Sequence, residues 1–178
     1  MKKRNDETFV SVDIESSGPV PPRYSMLSVG ACIVGDEGNG FYAELRPLSM
    51  DAVPDALSIS GFDLDSLTKT GQEAAEVMSS LRSWVETCRN PIFVGLNAAF
   101  DWAFVNWYFI EYGGGSNPFG IAPLDVKAYA MGKLGISWAE TRSSILSERL
   151  AIATKHTHQA LEDAREQSLL FQRLRMMK

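Results

Sequence analysis

Four acids and one histidine are the side chains of this sequence whose type and spacing are suited to chemistry: Asp13, Glu15, Asp101, His158 and Asp163. Asp13 and Glu15 are two residues apart in a segment of alternating apolar residues, so both side chains leave a predicted strand on the same face. The strand ends just before Gly18, and in sheets of this type functional sites gather where strands end. Taken alone, an Asp-x-Glu pair at a strand end is more often simply solvated.

Asp101 lies near the start of a predicted helix, among apolar neighbours from Ala98 to Phe104. Two interpretations are equally open from the residues alone. One is an acid that favours the helix dipole in the first turn, and the other is a metal ligand. Asn97, just before this helix, is a typical N-cap residue and also a candidate for contact with a substrate.

His158 and Asp163 are five residues apart, which on a helix is about 140° around the axis, so they would not share a face within one helix. We therefore expect His158 in the loop before the last helix and Asp163 within it, where both can reach one site. His156 lies nearby but has the wrong spacing to Asp163, and no catalytic role is assigned to it.

Acids and a histidine in one cleft suit metal-dependent cleavage of a phosphodiester. Two divalent cations about 4 Å apart can hold both the attacking and the leaving oxygen. Mg²⁺ and Mn²⁺ prefer oxygen ligands such as carboxylates, and cations relieve the repulsion between carboxylates that share a cleft. A histidine that is neutral near pH 7 suits the removal of a proton from water.

Three segments resemble the motifs of the DEDDh-type 3′–5′ exonucleases, and they stand in the family's order. Asp13-Ile14-Glu15 resembles the first motif, Asn97 to Asp101 the second, and His158 to Ala164 the third in its histidine form. The family includes RNase T, oligoribonuclease and proofreading subunits of replicative polymerases. The resemblance runs from Phe9 to Phe171. It implies an α/β, RNase H-like fold, with a mixed five-stranded sheet (an antiparallel meander, then parallel strands) flanked by helices.

Carried over residue by residue, the resemblance implies a set of metal-binding carboxylates: Asp13, Glu15, Asp101 and Asp163. It implies that His158 is the general base, that two Mg²⁺ or Mn²⁺ ions bind per site, and that the partner is the 3′ end of DNA or RNA. It also implies a homodimer.

Four further residues are candidates for substrate contact: Ser16, Gly18, Asn97 and Trp138. Many family members have Thr soon after the first motif's Glu, whereas Ser16 and Ser17 follow Glu15 here. The Ser16 hydroxyl can still donate a hydrogen bond, and the backbone near Gly18 is a candidate for contact with a terminal nucleotide. For Trp138, packing in the core is more common than stacking on a base.

Composition sets limits on the function. The 178 residues fit one domain (1–178), and 45% apolar with 22% charged residues is ordinary for a globular protein. The net charge of −5 argues against wide contact with long duplexes and favours short or single-stranded substrates. No apolar run approaches the roughly 20 residues that span a bilayer, so no membrane partner is expected. Together with two cysteines expected to be reduced, this suggests a cytoplasmic protein.

Periodicity and turn residues predict the order β-β-β-α-β-α-β-α-α. Predicted strands cover 9–15, 27–33, 41–45, 92–96 and 121–124, with a hairpin turn at 35–40. Predicted helices cover 74–88, 97–112, about 137–149 and about 159–176, the third of them starting at a capping box of Ser137 and Glu140. No element is predicted for 47–71.

Other functions stay open from the residues. An inactive relative that only binds nucleic acid or protein is disfavoured, because all four acids and His158 are present. A phosphodiesterase for small nucleotides and an accessory subunit of a polymerase are further alternatives. Asp125 could be a fifth acid near the metals, but a solvated strand end is the favoured interpretation.

Overall fold

Five strands form one mixed sheet in a computed structural model that describes residues 6–153 and 157–177. The strands are β1 (Thr8–Ser16), β2 (Met26–Ile33), β3 (Asp36–Glu44), β4 (Pro91–Gly95) and β5 (Leu124–Asp125). Their order across the sheet is β3-β2-β1-β4-β5. The β1–β2 and β2–β3 pairs are antiparallel, and the β1–β4 and β4–β5 pairs are parallel. The predicted fold class is therefore confirmed.

Helices cover the sheet on both faces. They are α1 (Pro54–Ser60), α2 (Leu64–Thr70), α3 (Ala74–Val85), α4 (Ala98–Glu111), α5 (Val126–Leu134), α6 (Ser143–Arg149) and α7 (Ala160–Met176), with a 3₁₀ turn at Trp138–Thr141. In residues 6–153 and 157–177, none of the helices has the length and apolar character needed to span a bilayer.

The central strand β1 separates the apolar core from the face that carries the acids. Val10, Val12 and Ile14 are buried in one cluster with side chains of α3 and α4. Phe9, on the opposite face, packs against Phe171 of α7, with ring centroids 5.3 Å apart. Because strand residues alternate, Asp13 lies on the α7 side.

Helix α7 lies on β1 and β2 because Gly30 leaves room for it. Gly30 is the register partner of Asp13 across the β1–β2 pair. A Cβ added to Gly30 would come within 2.2 Å of the Ala160 carbonyl carbon and the Leu161 nitrogen. A glycine in a strand often marks such a close approach of another backbone. The first turn of α7 thereby lies directly beside Asp13.

The hairpin between β2 and β3 is tighter than predicted. Ile33 pairs with Asp36, so the turn consists of Val34 and Gly35, and Gly35 takes the left-handed φ of 89°. The predicted turn at 35–40 is wrong, because most of that Gly- and Asp-containing stretch continues as β3.

Several elements of the second half also differ from prediction. The predicted strand 121–124 shrinks to Leu124–Asp125, and Ile121 is 96% exposed. The capping box at Ser137 is present, but it starts a four-residue 3₁₀ turn, and α6 begins separately at Ser143. The region 47–71 contains two seven-residue helices, and α5 was not predicted.

Candidate active site

The five residues singled out by the sequence line one cleft of about 220 Å³. They reach it from three places: the end of β1, the first turn of α4, and the start of α7 with the loop before it. Its lining also includes side chains that the motifs did not single out, namely Leu96, Ser143, Glu166, Gln167 and Leu170. The fold therefore brings the five residues together although Asp13 and Asp163 are 150 positions apart in the chain.

Asp101 is held against β1 by a backbone hydrogen bond. The Ile14 N–H donates to Asp101 Oδ1 at 3.2 Å, and the Asp101 residue is only 4% exposed. Asp13 accepts a 2.5 Å hydrogen bond at Oδ1 from the side-chain amide of Gln167 on α7. These bonds fix two carboxylates on the two sides of the strand end.

His158 lies in the loop before α7, as predicted, and Asp163 lies in the first turn of the helix. One ligand atom each from Glu15, His158 and Asp163 lie within 4.8 Å of one another. His158 takes a left-handed φ of 52°. The N–H and the hydroxyl of Thr157 donate to Asp163 Oδ1 at 3.3 and 3.4 Å. His156 lies outside the described residues.

Three carboxyl groups of the cleft, those of Asp13, Glu15 and Asp101, have raised pKa values. Burial raises the pKa of Asp13 well above its usual range, and repulsion from Asp101, Glu15 and Asp163 raises it further. Burial and repulsion from Asp163 and Asp101 raise the pKa of Glu15 to about 7. Burial raises the pKa of Asp101 to about 7 as well. Clustered oxygen donors whose charges repel one another fit a site for divalent cations.

Asn97 lines the cleft but does not cap α4 with its side chain. Asn97 does occupy the N-cap position of α4, as predicted, but without the side-chain hydrogen bond of a typical N-cap. Asp125 replaces it: its Oδ2 accepts from the Ala98 N–H at 2.8 Å, and its Oδ1 accepts from the Ala128 N–H at 2.7 Å. Asp125 thus joins the starts of α4 and α5 and is not a solvated strand end. It lies outside the lining of the cleft in the described residues, but its charge raises the pKa of Asp101.

Ser16 and Gly18 shape the turn that follows β1. Ser16 is buried, and its hydroxyl donates to the Gly18 carbonyl at 2.8 Å. The Tyr24 ring covers Gly18, since an added Cβ would lie 2.4 Å from ring carbons. Within the described residues, neither Ser16 nor Gly18 is part of the lining of the acidic cleft.

Trp138 is 50% exposed in the 3₁₀ turn before α6, whereas most tryptophans at such positions pack in the core. The Lys127 ammonium lies 4.3 Å from the centre of its ring. The 3₁₀ turn is followed by α6, whose first residue, Ser143, lines the cleft. Trp102, by contrast, packs edge-on against Phe93.

Among the cleft residues that the sequence motifs did not single out, Gln167 contacts a candidate metal ligand. It is buried on α7, four residues after Asp163, and it contacts Asp13. Residues four apart on a helix share a face, so a signal was available in the i, i+4 spacing to a candidate ligand.

Known proteins resemble this chain in sequence and in fold. No protein-family model matches the chain. The sequence is 42% identical over 173 residues to the 3′–5′ DNA exonuclease Cap18 of Escherichia coli, covering 95% of this chain and 92% of that protein. The fold superposes on the nuclease domain of 3′hExo, a DEDDh family member solved bound to rAMP, with a TM-score of 0.77 at 12% identity, covering 99% of this chain and 94% of the other. It also superposes on E. coli exonuclease I in complex with a dT13 oligonucleotide, with a TM-score of 0.75 at 19% identity, covering 96% of this chain and 41% of that one.

Proposed function

The chain belongs to the DEDDh-type 3′–5′ exonuclease family, and from that premise we propose that it removes nucleotides from the 3′ end of single-stranded DNA by metal-dependent hydrolysis. The reaction class, 3′–5′ exonuclease, follows from the family. The metal chemistry, the role of each residue and the choice of DNA are our proposals.

One observation supports the chemistry most directly: Asp13, Glu15, Asp101, Asp163 and His158 line a single cleft. Buried carboxylates that repel one another are costly without cations. In sequence the same five residues are spread over three distant segments, so their convergence has no simple explanation in solvation or helix capping. This argues for a catalytic site and against an inactive binding module.

In our proposal the four carboxylates hold two Mg²⁺ or Mn²⁺ ions, which are the divalent cations best matched to oxygen donors. What such a bound pair supplies is positive charge beside the attacking and leaving oxygens. Asp101 approaches from the buried side of the cleft, while Asp13, Glu15 and Asp163 are half-buried.

His158 is the proposed general base. Imidazole is a poorer match than carboxylate for Mg²⁺, so His158 is better suited to take the proton of the attacking water. Its exposed position beside Glu15 and Asp163 allows a proton to leave to solvent. We expect His158→Gln to lower kcat by roughly 10²- to 10⁴-fold, while Mg²⁺ binding measured by calorimetry changes little.

The choice of DNA rests on the 42% identical relative, which is named a DNA exonuclease. The fold alone does not discriminate, since one similar structure was solved with an oligo-dT and another with rAMP. The net charge of −5 favours a single strand gripped near its end over an extended duplex. Trp138 and Asn97 are proposed substrate contacts, and Ser16 and Gly18 are proposed to act through the turn that they form.

The test uses DNA and RNA oligonucleotides of matched sequence, labelled at the 3′ or the 5′ end, with Mg²⁺, Mn²⁺ or EDTA. The wild type is compared with Asp13→Ala and with Asp65→Ala, which removes an exposed acid on α2 outside the lining of the cleft. We expect stepwise loss of mononucleotides from the 3′ end of DNA, only with metal, in the wild type and in Asp65→Ala. Faster cleavage of RNA than of DNA would overturn the proposal that DNA is the substrate. Cleavage in EDTA would overturn the proposed metal-dependent mechanism.

Three further proposals concern the whole protein. We propose that residues 1–178 act as a single catalytic domain, that it forms a homodimer, and that it works in the cytoplasm. Light scattering of the purified protein tests the dimer, because a mass near twice 19.6 kDa is expected. Cell fractionation tests the location.

A further inference from the structure

Gln167 links three elements at the floor of the cleft. Its side-chain Nε2 donates to Asp13 Oδ1 on β1 at 2.5 Å. Its Oε1 accepts a hydrogen bond from the backbone N–H of Leu96, just after β4, at 2.8 Å. The residue is 6% exposed, so water has little access to replace either bond.

The orientation of the Gln167 amide is determined by the protein around it. The Leu96 N–H can only donate, so it requires the carbonyl oxygen of the amide on its side. The amide NH₂ must then face Asp13. A flipped amide would place two donors against each other and leave a carboxylate facing an oxygen. In the hydrogen bond between these two side chains, Gln167 is therefore always the donor and Asp13 the acceptor.

An amide has an advantage over a basic side chain at this place. A lysine or arginine would neutralise Asp13 and compete with a cation for it. The Gln167 amide occupies one lone pair of Oδ1 without adding charge, so the rest of the carboxylate keeps its negative charge. Neutral partners of this kind are typical of the residues that orient metal ligands.

We propose that Gln167 is a positioning residue that orients the Asp13 carboxylate toward the cations of the cleft. The inference rests on the proposed function, in which Asp13 is a metal ligand. Gln167 itself touches neither the cations nor the substrate in this proposal. Its effect passes through Asp13.

The test compares Gln167→Met with Gln172→Met. Both changes replace a glutamine of α7 with an unbranched apolar side chain. Gln172 lies more than two helical turns after Asp163. In the described part of the chain, Gln172 is outside the lining of the cleft. Mg²⁺ and Mn²⁺ binding is measured by calorimetry on the full chain, beside thermal melting in EDTA and the metal dependence of DNA hydrolysis.

We expect Gln167→Met to weaken Mg²⁺ binding by roughly 10- to 100-fold, which is the usual effect of removing a partner of a metal ligand. The Mg²⁺ concentration for half-maximal rate should rise in parallel, while KM for the oligonucleotide at saturating Mg²⁺ stays close to that of the wild type. Gln172→Met should match the wild type in each measurement.

A Gln167→Met variant that melts earlier but binds Mg²⁺ as tightly as the wild type would show a purely structural role and overturn the inference. If that variant is unfolded in EDTA, Gln167→Asn is used in its place. Asparagine keeps the C=O and the NH₂ of the amide, but its side chain is one methylene too short to reach both Leu96 and Asp13. The same weakening is expected, and wild-type affinity would again overturn the inference.

An Asp13→Asn variant separates this inference from the proposed function. If Asp13→Asn binds Mg²⁺ as the wild type does, then Asp13 is not a ligand and the proposed function fails. If Asp13→Asn loses affinity and the Gln167 variants do not, only the positioning role fails.

Discussion

Adding one methyl group at Gly30, in Gly30→Ala, should move the start of α7 away from the strands that carry Asp13 and Gly30. In Gly30→Ala the new Cβ would lie 2.2 Å from the Ala160 carbonyl carbon and the Leu161 nitrogen, and 2.4 Å from the Leu161 Cα. All three are backbone atoms of the first turn of α7, so no side-chain rotation can relieve the contact. Normal contact begins near 3.4 Å, so the turn must move by about 1 Å.

This displacement acts on both function and stability. Asp163 and His158 lie two residues to either side of Leu161 and Ala160, so they move with the turn while Asp13 stays in the sheet. A misplacement of about 1 Å at a reacting centre can lower turnover by about 100-fold. Overpacking of this kind also costs about 1–3 kcal/mol, against the gain of up to about 1 kcal/mol that Gly→Ala usually gives in a strand.

The matched control is Gly38→Ala on β3, where an added Cβ has nothing within 4 Å. We expect Gly38→Ala to keep full activity and to melt at the wild-type temperature or slightly above it. We expect Gly30→Ala to lose about 100-fold in kcat and to bind Mg²⁺ more weakly by calorimetry. Equal activity and equal Mg²⁺ affinity in the two variants would refute the role given to the close contact between β2 and α7.

Three other expectations follow from the cleft and its supports. Because the pKa values of Glu15 and Asp101 rise to about 7, the metal-free folded protein binds protons more tightly than the unfolded chain, and this part of its stability falls as pH rises through about 4 to 7. The rise in melting temperature on adding Mg²⁺ should therefore grow between about pH 5.5 and pH 8, and a rise that is constant or shrinks with pH would contradict this argument. Asp125→Ala removes two helix-start hydrogen bonds and should lower the free energy of unfolding by about 1–3 kcal/mol in urea titrations, whereas an unchanged midpoint would show that water replaces them. Trp138→Ala should raise KM for long oligonucleotides by roughly 5-fold or more, with Trp138→Phe closer to the wild type, and an unchanged KM would exclude stacking on a base.

The acids of the site were predictable because their chemistry leaves a short pattern in the chain. Asp13 and Glu15 lie on one face of an alternating strand, and that alternation is visible in the letters themselves. His158 and Asp163 could be assigned to a loop and a helix from the angle between helix positions alone. For these residues, the periodicity of the strand or helix predicts the same positions that a shared metal site requires.

The supports of the site were not predictable in the same way. Gly30 looks like any strand glycine until the backbone of α7 is placed above it. Asp125 looked like the end of a strand. Its cap of α5 is local, but its bond to the Ala98 N–H of α4 forms only because β5 lies beside β4. Gln167 could have been suspected from its spacing to Asp163, but its contact with Asp13 depends on how α7 crosses the sheet.

Errors in the elements have a similar cause. The Gly-rich stretch after Gly35 has the composition of a turn, yet pairing with β2 holds most of it as a strand. The helices of 47–71 and α5 have seven to nine residues. Elements of that length hold too few turns for an apolar period to stand out, and packing decides their conformation.

The way in which the carboxylates are held limits how the cleft can be neutralised. Asp101 is oriented by the Ile14 N–H, Asp13 by the Gln167 amide, and Asp163 by Thr157. All three donors are uncharged. In the part of the chain that the structure describes, the ion pairs of lysine and arginine do not include Asp13, Glu15, Asp101 or Asp163. Binding protons, or binding cations from solution, therefore reduces the repulsion among these four carboxylates. Since protons and cations compete for the same oxygens, a rise in pH and a rise in metal concentration should act in the same direction on this enzyme.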